Sequence, residues 1–156
     1  SITTSQDGNT RALSSNTVSY IQTGNNSNYG WYINLPTSGE RVVVRPNLRA
    51  GILYFNTMTP SLNPCDYGGG GWLMGVNAIT GSNAQNKKIF YSYSDLGVVG
   101  VKFEHGIPSQ SAILGNYLYT PGTHTIDGTN IQRTRIPSIS TAGMGGRMSW
   151  KEILIE

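Results

Sequence analysis

The sequence predicts an all-β fold built of antiparallel, propeller-blade-like sheets. Three observations carry this expectation. Gly30-Trp31 recurs as Gly71-Trp72, 41 residues later, and each copy opens a short apolar run that ends in a turn, at Thr37-Ser38-Gly39 and at Thr80-Gly81-Ser82. A repeat of roughly 40 residues holding several short strands is the signature of a propeller blade. No segment sustains a 3.6-residue apolar period, whereas short β-branched and aromatic runs recur between Gly, Pro, Asn and Ser turns. Charged residues make up only 12% of the chain, about half the usual quarter, so its polarity comes from Ser, Thr, Asn, Gln and Gly.

Residues 1–16 read as a polar N-terminal arm, with Asp7-Gly8-Asn9 as a turn. A single β domain is expected over 17–156. Strands are predicted at Thr17–Gln22, Trp31–Leu35, Glu40–Arg45 and Gly51–Asn56, with Pro36 and Pro46 punctuating them because proline cannot donate to a central ladder. Thr57–Gly71 reads as a long loop. Its run Gly68–Gly71 marks a close-packed crossing rather than a regular element. Further strands are predicted at Trp72–Ile79, Lys88–Ser94 and Gly97–Phe103. Gly106–Gly115 reads as a loop. Tyr117–Tyr119, His124–Ile126 and Asn130–Ile136 read as short strands. Asp127-Gly128 suits the positive-φ positions of a type I′ hairpin turn. Ser138–Gly146 reads as a loop, and Arg147–Ile155 as a last strand or one turn of helix.

A chain of 156 residues has the length of one domain and can bury a real core. It is too short for a closed propeller, which needs at least four blades of roughly 40 residues. Three arrangements remain open: a piece of a larger propeller, sheets completed by another chain, or an independent small β fold. The chain begins at Ser1 without Met, which reads as a mature or excised fragment. A charge-poor, Gly- and Tyr-rich sequence suits an extracellular surface protein. No run approaches the 18 apolar residues of a membrane-spanning helix.

The net charge is +3, but the basic residues are scattered, so no nucleic-acid footprint is expected. Cys65 is the single cysteine. It has no intrachain disulfide partner and no His or Cys beside it, which argues against a metal or nucleophile role. His105 and His124 lie near Glu104, Asp127, Ser94, Ser109 and Ser111, yet no Gly-x-Ser-x-Gly elbow exists. Glu40, Asp66, Asp95 and Glu104 form no recognisable acid/base pair. Gly68–Gly71 lacks the Lys-Ser/Thr ending of a phosphate loop. The expectation is therefore a protein without enzymatic activity or cofactor.

Residues 30–81 nonetheless carry a resemblance. Gly30-Trp31-Tyr32, Leu35-Pro36, Gly39-Glu40-Arg41-Val42, the Pro60…Pro64-Cys65 loop, Gly69–Leu73 and Thr80-Gly81 resemble the C-terminal propeller domain of the PilC/PilY family. These are large secreted proteins of the type IV pilus tip. Gly146-Arg147-Met148-Ser149-Trp150 is similar to the closing Gly-Arg-x-Ser-Trp of that domain. The resemblance is dense over about fifty residues and much weaker before residue 28 and between 82 and 140. Members can carry a calcium loop spaced Asp-x-Asn-x-Asp. Here 82–88 holds no Asp or Glu, and Asp7-Gly8-Asn9 and Asp127-Gly128-Thr129-Asn130 do not reproduce the loop, so calcium has no convincing site.

The resemblance implies a non-enzymatic module acting in pilus biogenesis, surface adhesion or both. Expected partners are the remainder of a larger chain, minor pilins or identical copies, with a host surface or glycan as a further candidate. Trp31, Glu40, Arg41, Cys65, Trp72 and Trp150 are the expected structural motif residues, the Trp side chains locking blade to blade and Glu40-Arg41 forming a strand-edge pair. Tyr29, Tyr91 and Tyr93 are the candidate binding surface. Two other classes stay open: a carbohydrate-binding lectin-type adhesin, favoured if aromatics line an exposed groove, and a subunit of an extracellular β-rich filament, favoured by open sheet edges.

Overall fold

The computed structural model describes residues 2–5, 8–14, 18–20, 28–61, 63, 68–84, 88–93 and 97–138. It is all-β, with two antiparallel sheets and no α-helix among the described residues. The nine strands are β1 (Ile2–Thr4), β2 (Thr10–Leu13), β3 (Asn47–Arg49), β4 (Ile52–Pro60), β5 (Gly69–Asn77), β6 (Val98–Phe103), β7 (Ala112–Leu114), β8 (Tyr117–Ile126) and β9 (Thr129–Arg135). Six of them form one sheet in the order β1-β2-β6-β5-β4-β3, and the other three form a second sheet in the order β7-β8-β9.

Alternation along β4 and β5 sorts the large sheet into two faces. Ile52, Tyr54 and Asn56, opposite Asn77, Gly75 and Leu73, turn toward the second sheet. There Tyr54, Leu73, Val99, Val101 and Phe103 pack with Ile89, Phe90, Leu118 and Ile136 into one core. Each large side chain buried this way contributes about 1.5–3 kcal/mol. Tyr54 and Phe90 meet edge to face with centroids 6.2 Å apart. Burial pushes the Tyr54 hydroxyl above its ordinary pKa, with Arg49 pulling the other way and Tyr91 adding to the rise. Across the same interface Asn56 Nδ2 donates to Ser109 O at 2.6 Å and to Ser111 Oγ at 2.9 Å, and the Ser111 and Thr120 hydroxyls bond at 2.6 Å. All three side chains are buried, so this network fixes how the two sheets register.

Several predicted elements take a different form. Ile2–Thr4 and Thr10–Leu13, within the stretch read as a polar arm, form an antiparallel pair, and β2 joins β6. Thr10-Arg11-Ala12-Leu13 was hidden by an arginine that proves to be buried. Trp31–Leu35 is not a strand, although its alternation is real: Trp31, Ile33 and Leu35 are half-buried while Tyr32 and Asn34 are exposed. The segment lies over the face of the sheet instead of joining its ladder. The predicted Glu40–Arg45 strand reduces to one bridge, Arg41 to Met58. Lys88–Ser94 forms turns over its described residues, because Ile89 and Phe90 plug the core side by side. Tyr117–Tyr119 and His124–Ile126 belong to one long strand with a register shift between Pro121 and Ile126. The loop read over 106–115 contains β7. Asp127 (φ 50°) and Gly128 (φ 78°) make the expected hairpin turn. The predicted strand at Thr17–Gln22 lies partly outside the described residues, and that at Arg147–Ile155 lies wholly outside them.

The glycine run is the sharpest difference. β4 continues to Pro60 and pairs residue by residue with Gly69–Trp72, so the expected 57–71 loop is shorter and the glycines belong to a regular strand. Close packing still explains them. A Cβ on Gly71 would lie 2.4 Å from Pro108 Cδ and 2.2 Å from Thr57 O, whereas Gly70 has nothing within 4 Å. Gly71 thus lets the 106–111 connection of the second sheet seat against β5. Replacing Gly71 by Val should cost about 1–3 kcal/mol or more by overpacking. Gly70→Ala should be neutral or stabilising by up to about 1 kcal/mol. Urea unfolding of the two variants beside the parent chain checks the pair.

Candidate functional site

The second face of the large sheet carries the motif residues. Phe55 and Thr57 of β4 lie beside Met74 and Trp72 of β5, followed by Gly100 and Lys102 of β6 and then Arg11 of β2. Gly100 supplies room: a Cβ there would lie 2.5 Å from Met74 Sδ and 3.0 Å from Arg11 Cβ. Arg11 stacks its guanidinium 3.9 Å from the Trp72 ring centre. Its Nη1 donates to Glu40 Oε1 at 2.6 Å, and its Nη2 to Glu40 Oε2 at 2.9 Å and to Thr37 Oγ1 at 3.2 Å. Both charged side chains are essentially inaccessible, at 1% and 0%. Thr57 donates its hydroxyl to Glu40 Oε1 at 2.5 Å. The Arg11 Nε has no hydrogen-bond partner among the described residues, so the face of Trp72 is what offsets its desolvation.

The turn that presents Glu40 is coded locally. Glu40 N donates to Thr37 O at 3.0 Å, and Gly39 takes φ 75°, a left-handed conformation that glycine adopts without strain. Burial works to raise the Glu40 pKa, but the hydrogen bonds from Arg11, Thr57 and Thr37 together with the Arg11 charge outweigh it and hold the carboxyl below its ordinary value. The expected Glu40-Arg41 pair is therefore divided. Glu40 takes Arg11, 29 residues away, as its ionic partner. Arg41 is exposed, exchanges backbone bonds with Met58 at 2.9 and 2.8 Å along the edge of β4, and turns its Nε to Gly39 O at 3.1 Å.

Trp31 anchors the other end of this overlying segment. Its Nε1 donates to Ala78 O at 3.0 Å. A Cβ on Gly81 would lie 2.3 Å from the indole, so only glycine lets the ring sit flat on the 77–82 turn. That turn is held by Asn77 Oδ1, which accepts from Ile79 N and Thr80 N at 2.9 and 3.1 Å. Tyr20 adds a hydroxyl bond to Ile79 O. Gly-Trp, Gly-Glu-Arg and Thr-Gly thus belong to one clasp, in which the 28–46 segment is buttoned to the sheet at Trp31 and at Glu40. Between the buttons lies an apolar groove of about 260 Å³ lined by Trp31, Ile33, Leu35, Val42, Pro46, Leu53 and Phe55.

The expected surface tyrosines differ in exposure and contacts. Tyr29 is 93% exposed. Tyr93 packs against the core, and Tyr91 sits 5.6 Å under the Arg135 guanidinium. Cys65 and Trp150 lie outside the described residues. His105 is buried against Phe103, its Nδ1 3.3 Å from His124 O. Among the described residues no group of three or more His, Cys, Asp or Glu could hold a metal ion. Sequence reasoning missed Arg11, Thr57, Asn56 and Thr120, and weighed Ser111 only as a neighbour of His105. The signal for Arg11 was a lone charge inside a β-branched and apolar run in a chain poor in charge.

The fold and clasp define an all-β module of two antiparallel sheets with a loop segment buttoned over one of them. Comparison with known proteins places similar sequence in pilus biogenesis factors. Over 84 residues the chain is 31% identical to the type IV pilus biogenesis factor PilY1 of Pseudomonas aeruginosa (strain UCBPP-PA14), covering 47% of this chain and 7% of that protein. Over 81 residues it is 33% identical to the type IV pilus biogenesis factor PilY1 homolog of Xylella fastidiosa (strain Temecula1 / ATCC 700964), covering 48% of this chain and 5% of that protein. About half of the chain is therefore similar to PilY1-type factors, and the matches span only a small fraction of their length. No family model and no solved structure matches the chain.

Breaking the buried pair from one side should be costly. Glu40→Leu or Arg11→Met alone leaves a buried charge unpaired and should destabilise by about 3–5 kcal/mol, while the double variant should lose far less than the sum. Denaturant midpoints of the four chains measure the coupling. The depressed Glu40 pKa also fixes a pH dependence. The unfolded chain binds this proton more readily than the folded one, so the stabilisation is complete above the ordinary carboxyl value of about 4.3 and is lost as pH falls through the lower folded value. Urea midpoints at successively lower pH should fall more steeply for the parent chain than for the Arg11→Met/Glu40→Leu variant.

Proposed function

We propose that this chain is a non-enzymatic β module of a larger type IV pilus biogenesis factor, working at the cell surface in pilus assembly, adhesion or both. The observation that carries the reading is its similarity, over about half its length, to two proteins named as pilus biogenesis factors. The clasp supports a scaffold role. Its charges are neutralised and buried, so it stabilises a shape and offers no reactive group. The open edges agree with sheets that are completed elsewhere. Among the described residues β1 and β3 bound the large sheet, and Leu48 on β3 is 67% exposed. An edge strand of that kind is a template for another strand, supplied in this reading by the remainder of the propeller. No described helix is long and apolar enough to cross a membrane.

A glycan-binding module is the second reading. The 260 Å³ groove beside Trp31 is lined by apolar side chains alone and lacks the polar groups that fix sugar hydroxyls, but a larger cleft of about 490 Å³ on the same tryptophan carries Asn28, Asn34, Thr80 and Ser82. The experiment is genetic. Deleting the coding sequence for 28–60 at the natural locus should abolish or severely reduce sheared surface pili and twitching motility, with the truncated protein still detected by immunoblot. Unchanged piliation and motility would overturn the reading. Adherence measured on bacteria matched for piliation separates adhesion from assembly.

A further inference from the structure

The outer face of the three-stranded sheet is unlike an ordinary solvated sheet face. Leu118, Thr120 and Thr134 point inward and are buried. The residues between them point outward. The register sets Tyr117 opposite Arg135 and Tyr119 opposite Arg133, so the four side chains share that face. Arg133 lies 4.8 Å from the Tyr117 ring centre, Tyr117 and Tyr119 have centroids 6.3 Å apart, and Arg135 lies 5.6 Å from Tyr91. Three tyrosines and two arginines are thereby interleaved in one patch, flanked by Leu114 at 72% and Ile131 at 45% exposure. Neither arginine has a carboxylate partner among the described residues.

We infer that this face binds an acidic segment of another protein, in extended conformation, with carboxylates at alternate positions and apolar side chains between or beside them. Three features select that partner. Arg133 and Arg135 are two residues apart on one strand, a spacing of about 6.6–7 Å, and alternate residues of an extended partner repeat at the same distance. The ring faces of Tyr117 and Tyr91 are already covered by guanidinium, so a sugar ring would have to displace a cation in order to stack. The outward N–H groups stay free for bidentate carboxylate bonds. Exposed Leu114 and Ile131 beside Tyr and Arg match the composition of protein interfaces, in which these two residue types are enriched. A second copy of this chain is a poor complement. It carries eight acidic against eleven basic residues, and Glu40 is buried. The inference stands apart from the clasp and does not depend on the pilus reading.

The test is a titration of the isotope-labelled 156-residue chain with poly-L-glutamate and, separately, with polygalacturonate, followed by amide chemical shifts at low and moderate salt. Poly-L-glutamate should shift β8 and β9 amides and bind more weakly as salt rises. Arg133→Gln/Arg135→Gln should weaken it about tenfold or more, in line with the loss of charged hydrogen bonds. Both substitutions lie on an exposed face, and an unchanged spectrum elsewhere confirms the fold. Any of three results would overturn the proposal: no binding, shifts centred away from β8 and β9, or an affinity indifferent to the double substitution. Tighter, arginine-dependent binding of polygalacturonate would also overturn it, in favour of an acidic glycan.

Discussion

One buried ion pair holds the motif half of this molecule in place. Arg11 comes from β2 and Glu40 from a turn 29 residues later, and the two meet under Thr37 and Thr57 with Trp72 closing the other side. Because β2 pairs with β6 and Trp72 belongs to β5, the pair ties the N-terminal hairpin, the sheet and the overlying 28–46 segment together. A buried pair is weak evidence for stability taken by itself, since desolvation consumes most of the Coulombic gain. Its effect here is geometric. The carboxylate is satisfied only when all three elements are in register, so misplacing any of them strands a charge.

The all-β, antiparallel class was legible because it rests on periodicities that survive without tertiary information. Short β-branched runs, turn residues and the Asp127-Gly128 hairpin all report local preferences. What was not legible is where tertiary contacts overrule those preferences. Trp31–Leu35 alternates like a strand, yet its alternation records packing on a face, not pairing in a ladder. The glycines 69–71 read as a crossing, but opposite Met58–Pro60 they form a strand in which the missing side chain of Gly71 admits Pro108. Arg11 left only a faint local signal, a lone charge in a short β-branched and apolar run, and its burial follows from a partner 29 residues on.

The motif residues are partly explained by this geometry. Trp31 needs Gly81, Glu40 needs Gly39 and Arg11, and Gly71 needs Pro108. These are requirements for building a face. The proposed recognition surface lies elsewhere. The outer side of β7–β9 presents aromatic rings and two arginines with no carboxylate partner among the described residues, whereas the clasp side presents an apolar groove and neutralised charges.

The most direct test of the central claim is hydrogen exchange by mass spectrometry on the parent chain and on Arg11→Met. If the pair buttons the segment to the sheet, amides in 28–46, together with the Met58 amide bonded to Arg41, should exchange about tenfold faster or more in the variant. Those of β8 and β9 should keep their protection. Uniform loss across both sheets, or no change in 28–46, would contradict the account.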